Sequence, residues 1–385
     1  MKDKFLKPKI VPFKKIEKLW ETNKVPTQIY IHSAFCESIC KFCIYKGGLL
    51  HSKHSLSYNR YFNDYLPSQW DKYSSIISKN KIQGIYFGGG TPNTEEDLAN
   101  LKPIFDKMRN VDCVEKTIEL HFGLPITDKT IEVLAKEKFN TALICIQTFN
   151  KDILKEENRI SAADNNLDEI IGKLHQNNIN VGIDLIIFKG HSDQIVRDVE
   201  QLMLLKNKPD EITILHQIEH GSRDFTEKHP LQSEYRAQLI ELTALFYKGH
   251  VGTGNDSFTF VKEDKVSIFD KSFFSFRKYQ MAVPDNFRSL IGIGSLKTIG
   301  HRSYSKIGRN IYFENYNVSK NKVNYTLYTV PSSKEIIKRA IDHIEIDPIF
   351  YDNSLIEFKI MYITPEFTDN LEIGYPNVLV KYQKQ

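Results

Sequence analysis

Residues 28–43 read Gln28-Ile29-Tyr30-Ile31-His32-Ser33-Ala34-Phe35-Cys36-Glu37-Ser38-Ile39-Cys40-Lys41-Phe42-Cys43. The first six, rich in β-branched and aromatic residues, predict a strand over Gln28–Ser33. Three cysteines follow at C-x3-C-x2-C spacing in the loop beyond it. Three thiolates on one loop can ligate three corners of an iron–sulfur cubane, and the fourth iron then lacks a protein ligand. A structural zinc site uses four ligands, commonly in two closely spaced pairs, and here only His32 could complete a set. An electron-transfer ferredoxin supplies four cysteines per cluster. The remaining two, Cys113 and Cys145, lie far off in apolar strand patterns and read as core residues.

Outward from this segment, short apolar runs alternate with helical patterns as far as residue 218. Strands are predicted at Gln28–Ser33, Ile82–Phe87, Lys116–His121, Thr141–Ile146, Asn180–Ile187 and Glu211–Gln217. Helices are predicted at Thr94–Asn110, Thr127–Lys138 and Asn166–Asn177. Thr94 can cap the first of these, and Glu95, Glu96 and Asp97 suit its positive N-terminal end. Each strand-plus-helix unit is long enough for a right-handed crossover, so the sheet should be parallel. Six units predict an α/β fold: a partial (β/α)6 barrel, with a flat doubly wound sheet as the alternative.

In such barrels chemistry sits at the C-terminal strand ends, where the cysteines and the polar residues discussed below would gather. The expected division is an N-terminal extension (1–27), a core domain (28–225), a barrel-closing and substrate-binding segment (226–330) and a C-terminal extension (331–385). That later part reads as a smaller α+β extension, with helices at Tyr235–Tyr247 and Ser333–His343.

The bulk numbers exclude other classes. The chain has 385 residues, 41% hydrophobic and 26% charged, an ordinary globular composition. Fifty-two basic residues against 48 acidic give +4, without a dense Lys/Arg block, so no nucleic-acid partner is expected. No run reaches the roughly 18 apolar residues of a membrane span, and the basic N-terminus lacks a signal-peptide core. Five cysteines, three within eight positions, suit a reducing cytoplasm and a metal site rather than disulfides.

A second motif, Phe87-Gly88-Gly89-Gly90-Thr91-Pro92, directly follows a predicted strand. Its glycines let the backbone approach a ligand closely and expose amides, although alone such a turn could equally cradle a phosphate. Together the cysteine and glycine motifs resemble the radical S-adenosylmethionine (SAM) superfamily. More narrowly, Y-I-H-x-x-F-C resembles the oxygen-independent coproporphyrinogen III oxidase family. Its relatives include haem-degrading enzymes, haem chaperones and methyltransferases that bind two SAM molecules.

The resemblance implies a [4Fe-4S] cluster on Cys36, Cys40 and Cys43, and SAM chelated to the open iron through its amino group and carboxylate. It also implies SAM contacts from Phe42, from the glycine motif (Gly89, Gly90, Thr91), and from Glu119, Gln147, Arg159 and Asp184. Arg159 can make a bidentate carboxylate contact, and the others can hold ribose hydroxyls or the amino group. Tyr30 and His32 are candidates for a SAM-face contact and a proton donor or acceptor. The matching stretch ends at Ile218–Ser222 and resumes weakly at Ile291–Ser295 and from Asn310 to Tyr316.

Several positions depart from the family pattern. Tyr45 stands where many members have a fourth cysteine, and His121-Phe122 replaces Asn-Pro. Phe188-Lys189-Gly190 replaces Gly-Leu-Pro, and of a His-Asn-x-x-Tyr-Trp signature only Tyr279 remains. These changes argue for a rebuilt substrate cavity around an intact SAM site. The expected function is reductive SAM cleavage acting on a small-molecule or peptide-borne substrate, by C-methylation with two SAM molecules or other radical tailoring. The alternatives are a porphyrin enzyme of the coproporphyrinogen oxidase type and a non-catalytic haem chaperone. A flavodoxin or ferredoxin is the expected electron donor. Phe273, Phe274, Phe276, Arg277, Lys278 and Tyr279 are the expected substrate-facing groups.

Overall fold

The computed structural model describes residues 9–33, 35–43, 56–90, 93–161, 164–217, 231–247, 249–252, 257–265, 289–294, 305–307, 310–317, 322–329, 349–352 and 355–357. A short strand, β1 (Lys9–Val11), and a helix (Phe13–Trp20) precede the first long strand. Six parallel strands then follow: β2 (Thr27–Ser33), β3 (Ile82–Gly89), β4 (Glu115–His121), β5 (Thr141–Gln147), β6 (Asn180–Ile187) and β7 (Glu211–His216). Next come β8 (Gly249–Gly252), β9 (Ser257–Val261), β10 (Ser289–Ile293), β11 (Ser305–Ile307), β12 (Asn310–Asn317) and β13 (Lys322–Thr329). A separate hairpin pairs β14 (Ile349–Asp352) with β15 (Leu355–Glu357).

The first thirteen strands form one sheet in the order β1-β13-β12-β11-β10-β2-β3-β4-β5-β6-β7-β9-β8. The predicted parallel core is therefore present. It gains a seventh parallel strand, β10, which pairs with β2 from far along the chain. Antiparallel strands extend both edges. Register explains the two faces. One row across the sheet joins Ile293, Ile31, Phe87, Ile118, Ala142 and Val181, all apolar. These residues share a buried core with helix residues such as Leu98, Phe105, Leu134 and Ile171. Each fully buried Ile or Phe contributes about 1.5–3 kcal/mol.

The neighbouring row joins Gly292, Tyr30, Tyr86, Thr117, Thr141 and Asn180. Another joins His121, Cys145, Asp184, Thr213 and Thr259. Strands buried on both faces usually read as near-continuous apolar runs. Here the face turned away from the helices is polar, so the barrel interior is a chemically equipped surface rather than packing alone.

The helices depart from expectation in one instructive place. Thr94–Asn110 is two helices, Glu95–Asn100 and Lys102–Met108. Pro103 has no backbone N–H to bond the preceding turn, so the run breaks at Leu101. Thr94 does cap, and with Asp97 it forms a reciprocal capping box. The other two helices run over Asp128–Lys136 and Leu167–Gln176, capped by Thr127 and Asn166. Leu231–Thr243 is helical, beginning four residues before the expected Tyr235. The expected helix at Ser333–His343, Thr91, Ile218–Ser222 and the whole Phe273–Tyr279 cluster lie outside the described residues.

Candidate active site

The cysteine loop leaves β2 and is pinned at both ends. At its start Phe35, almost wholly buried, packs edge-on against Tyr58 and Tyr61 with centroids at 4.9 and 5.7 Å. At its end Phe42 meets Phe188 edge-on at 5.5 Å. Between them the Cys43 N–H donates to the Cys40 carbonyl at 3.2 Å, closing a tight turn over the last two cysteines. Cys40 is buried, whereas Cys36 and Cys43 are half-buried.

The glycine motif lies against this loop. Gly90 N–H donates to the Ser33 carbonyl at 2.7 Å, and a Cβ at Gly90 would sit 1.8 Å from the Phe35 carbonyl oxygen. The close approach required of glycine here is to the cysteine loop. Gly89 has φ of +101°, a conformation natural only to glycine, and its N–H donates to Glu119 Oε2 at 3.0 Å. Glu119 also accepts from the Tyr86 hydroxyl. Tyr86 stacks on Tyr30 (5.9 Å between centroids, 18° between planes), and Tyr30 Oη lies 3.2 Å from His32 Nδ1. Tyr30, His32, Gly89 and Glu119 thus belong to one network over β2, β3 and β4.

A second group occupies the β5–β6 side. Arg159 Nη1 lies 3.6 Å from Cys40 Sγ, its Nη2 donates to the Cys145 carbonyl, and its guanidinium sits 5.9 Å from the Phe42 ring centre. Cys145 Sγ is 3.9 Å from Asp184 Oδ2. Arg159 therefore links the cysteine loop to the strand ends that carry Gln147 and Asp184. Gln147 sits at a register irregularity between β5 and β6 with φ of +75°. A non-glycine residue there is strained. The turn is held by Asp198 on a neighbouring helix, which accepts from Phe149 N–H at 3.0 Å and from Gln194 Nε2 at 2.8 Å. Gln147 is buried, and its Oε1 has no hydrogen-bond partner among the described residues.

Two residues were not singled out in the sequence. Tyr86 carried a signal, since it lies on the same strand face as Gly88 and in register with Tyr30. Asp198 carried none, being one acid among several in a helix. Cys145 was read as core. It is buried, but on the polar interior face beside Asp184. Cys113 is remote from this rim, and burial pushes its thiol up to about 11, so it stays protonated and inert.

The donor set fits an iron–sulfur cluster with a small polar cofactor beside it. Among the described residues no three His, Cys, Asp or Glu side chains converge on a single metal ion. The unpartnered buried Gln147 oxygen and the nearby Asp184 suit a ligand with donor groups. No helix among the described residues is long and apolar enough to cross a membrane.

Residues 30–203 match the family model of the radical SAM superfamily. The haem chaperone HemW of Lactococcus lactis is 28% identical over 186 residues, 47% of this chain and 47% of the relative. An oxygen-independent coproporphyrinogen III oxidase of Salmonella typhimurium is 23% identical over 137 residues, 35% of this chain and 29% of the relative. The chain spans about half the length, or less, of the curated relatives it matches. The structure of coproporphyrinogen III oxidase (HemN) from Escherichia coli superposes with a TM-score of 0.61 at 16% identity, over 86% of this chain and 78% of that one. At that identity the likeness speaks for the fold: a mostly parallel partial barrel with antiparallel strands appended. Over residues 30–203 the chain matches the radical SAM superfamily, and its relatives there include the haem chaperone HemW and oxygen-independent coproporphyrinogen III oxidase at low identity.

Proposed function

We propose that this chain cleaves SAM reductively at a cluster held by Cys36, Cys40 and Cys43, and that its ligand or substrate is a tetrapyrrole. The observation that carries the first half is the single contact chain from the cysteine loop, through Arg159 and Cys145, to Asp184. It joins the cysteine loop, through Cys40, to the polar face of β5 and β6. When bound, cluster and SAM supply a 5′-deoxyadenosyl radical.

The chain's own residues do the rest. Gly89 and Gly90, together with Thr91 by resemblance, would hold the SAM amino and carboxylate groups. Glu119, Gln147 and Asp184 would orient the cofactor, and Phe42, beside the cysteine loop, would flank the cluster. Arg159 retains donors for the SAM carboxylate, since a guanidinium has five and two are engaged. Tyr30 and His32, joined by their mutual hydrogen bond, would hold a proton near the cofactor. A flavodoxin or ferredoxin would supply the electron.

The tetrapyrrole half rests on the haem chaperones and the coproporphyrinogen oxidase among the relatives. None of the relatives described above is a methyltransferase, so C-methylation with a second SAM has no comparable support. The test is anaerobic incubation of the reconstituted protein with SAM and dithionite, with and without haem or coproporphyrinogen III. Stimulated 5′-deoxyadenosine formation together with a changed tetrapyrrole supports an enzyme on this substrate class. Stoichiometric haem binding without nucleoside product would identify a chaperone. S-adenosylhomocysteine as the product would return the case to methyl transfer. No response to any tetrapyrrole would remove the substrate proposal.

A further inference from the structure

The segment after the helix Lys151–Glu156 forms a clasp on the cysteine loop. Lys41 N–H donates to the Glu157 carbonyl at 2.8 Å, and Asn158 Nδ2 donates to the Ile39 carbonyl at 2.9 Å. Asn158 turns the chain with φ of +54°, and Arg159 N–H closes on the Leu154 carbonyl at 2.8 Å. These bonds fix the backbone that launches Arg159. Its side chain reaches back to Cys40 Sγ, which is almost fully buried, with Phe42 beneath the guanidinium and the Cys145 carbonyl fixing its far edge. A permanently charged donor, itself partly buried, is thereby held on one particular buried sulfur.

Building on the cluster assignment above, we propose that Arg159 tunes the cluster's reduction potential through Cys40 Sγ, in addition to any contact with SAM. The physical basis is general. Hydrogen bonds to ligand sulfurs and nearby positive charge stabilise the more negative, reduced cluster and raise its potential. The cation eases electron delivery by a weak donor and makes the delivered electron somewhat less reducing. Asn158 holds the loop without touching sulfur, so the two neighbours have separable roles.

The test is a redox titration of the reconstituted protein without SAM, followed by electron paramagnetic resonance. Arg159→Leu should shift the midpoint to more negative potential. Arg159→Lys, which keeps the charge and loses the planar fork, should shift it less in the same direction. Asn158→Gly, which preserves the backbone conformation and deletes the side chain, should leave it unchanged. Equal midpoints for wild type and both Arg159 variants would overturn the inference. Should neither variant retain a cluster, the wild-type protein labelled with 15N-arginine decides. A 15N hyperfine coupling to the reduced cluster is expected, and its absence refutes the contact. Failure of wild type to bind a cluster would instead sink the function proposed above.

Discussion

Gly90→Ala is the sharpest perturbation of the junction between the glycine motif and the cysteine loop. The new Cβ would lie 1.8 Å from the Phe35 carbonyl oxygen, 2.6 Å from its carbon and 3.0 Å from Ser33 Oγ. Ordinary van der Waals contact begins at 3.4 Å, so the two segments must part by about 3.4 − 1.8 = 1.6 Å. The obstacle is backbone, and Phe35 is locked among Tyr58, Tyr61 and Phe62, so no side chain can swing aside. Overpacking of this kind costs about 1–3 kcal/mol. Losing the Gly90–Ser33 hydrogen bond adds about 1 kcal/mol. Phe35 adjoins Cys36, so the displacement should also spoil the cluster site. Urea denaturation should show a loss of about 2–4 kcal/mol, and anaerobic reconstitution should show reduced iron and sulfide. A variant with wild-type stability and a full cluster would refute the steric reasoning.

Other substitutions probe separate links. Tyr86→Phe keeps the stack on Tyr30 and removes the hydroxyl from Glu119; the cost should be about 1.5–3 kcal/mol, the range for a bond to a charged group, read by urea denaturation and accompanied by weaker SAM binding in equilibrium dialysis. Unchanged values would make that contact idle. Ala at Cys36, Cys40 or Cys43 should abolish the iron–sulfur absorbance, whereas Ala at Cys113 or Cys145 should spare it. Burial raises the Asp198 carboxyl above its ordinary value, so the folded state holds its proton more tightly than the unfolded state. Its contribution to stability therefore falls as pH rises through and above the unfolded carboxylate range. Asp198→Asn should narrow or remove that loss at pH 8 relative to pH 4 in paired denaturation curves, and an identical pH dependence would contradict the assignment.

The parallel strands were legible because runs such as Ile183–Ile187 combine β-branched residues with turn signals at both ends. The cysteine spacing and the glycine motif were legible because each occupies a few contiguous residues. What was hidden depends on partners distant in sequence. β10 belongs beside β2 only because register brings Ile291 against Ile29. Pro103 was visible, but the capped, charged start of the helix masked the break it causes. The polar interior face could have been read from alternation in β4, where Glu115, Thr117, Glu119 and His121 share one side. The apolar residues between them drew attention to the core instead. Arg159 looked like a cofactor contact, and its approach to Cys40 needed the clasp at Glu157 and Asn158, which local sequence does not specify.

The most direct measurement is electron paramagnetic resonance of the anaerobically reconstituted, dithionite-reduced protein, titrated with SAM. A three-thiolate [4Fe-4S] cluster has an iron open to SAM, so the signal should change on SAM addition and 5′-deoxyadenosine should accumulate. A signal indifferent to SAM, or a Cys43→Ala variant that still assembles the full cluster, would contradict the assignment of Cys36, Cys40 and Cys43.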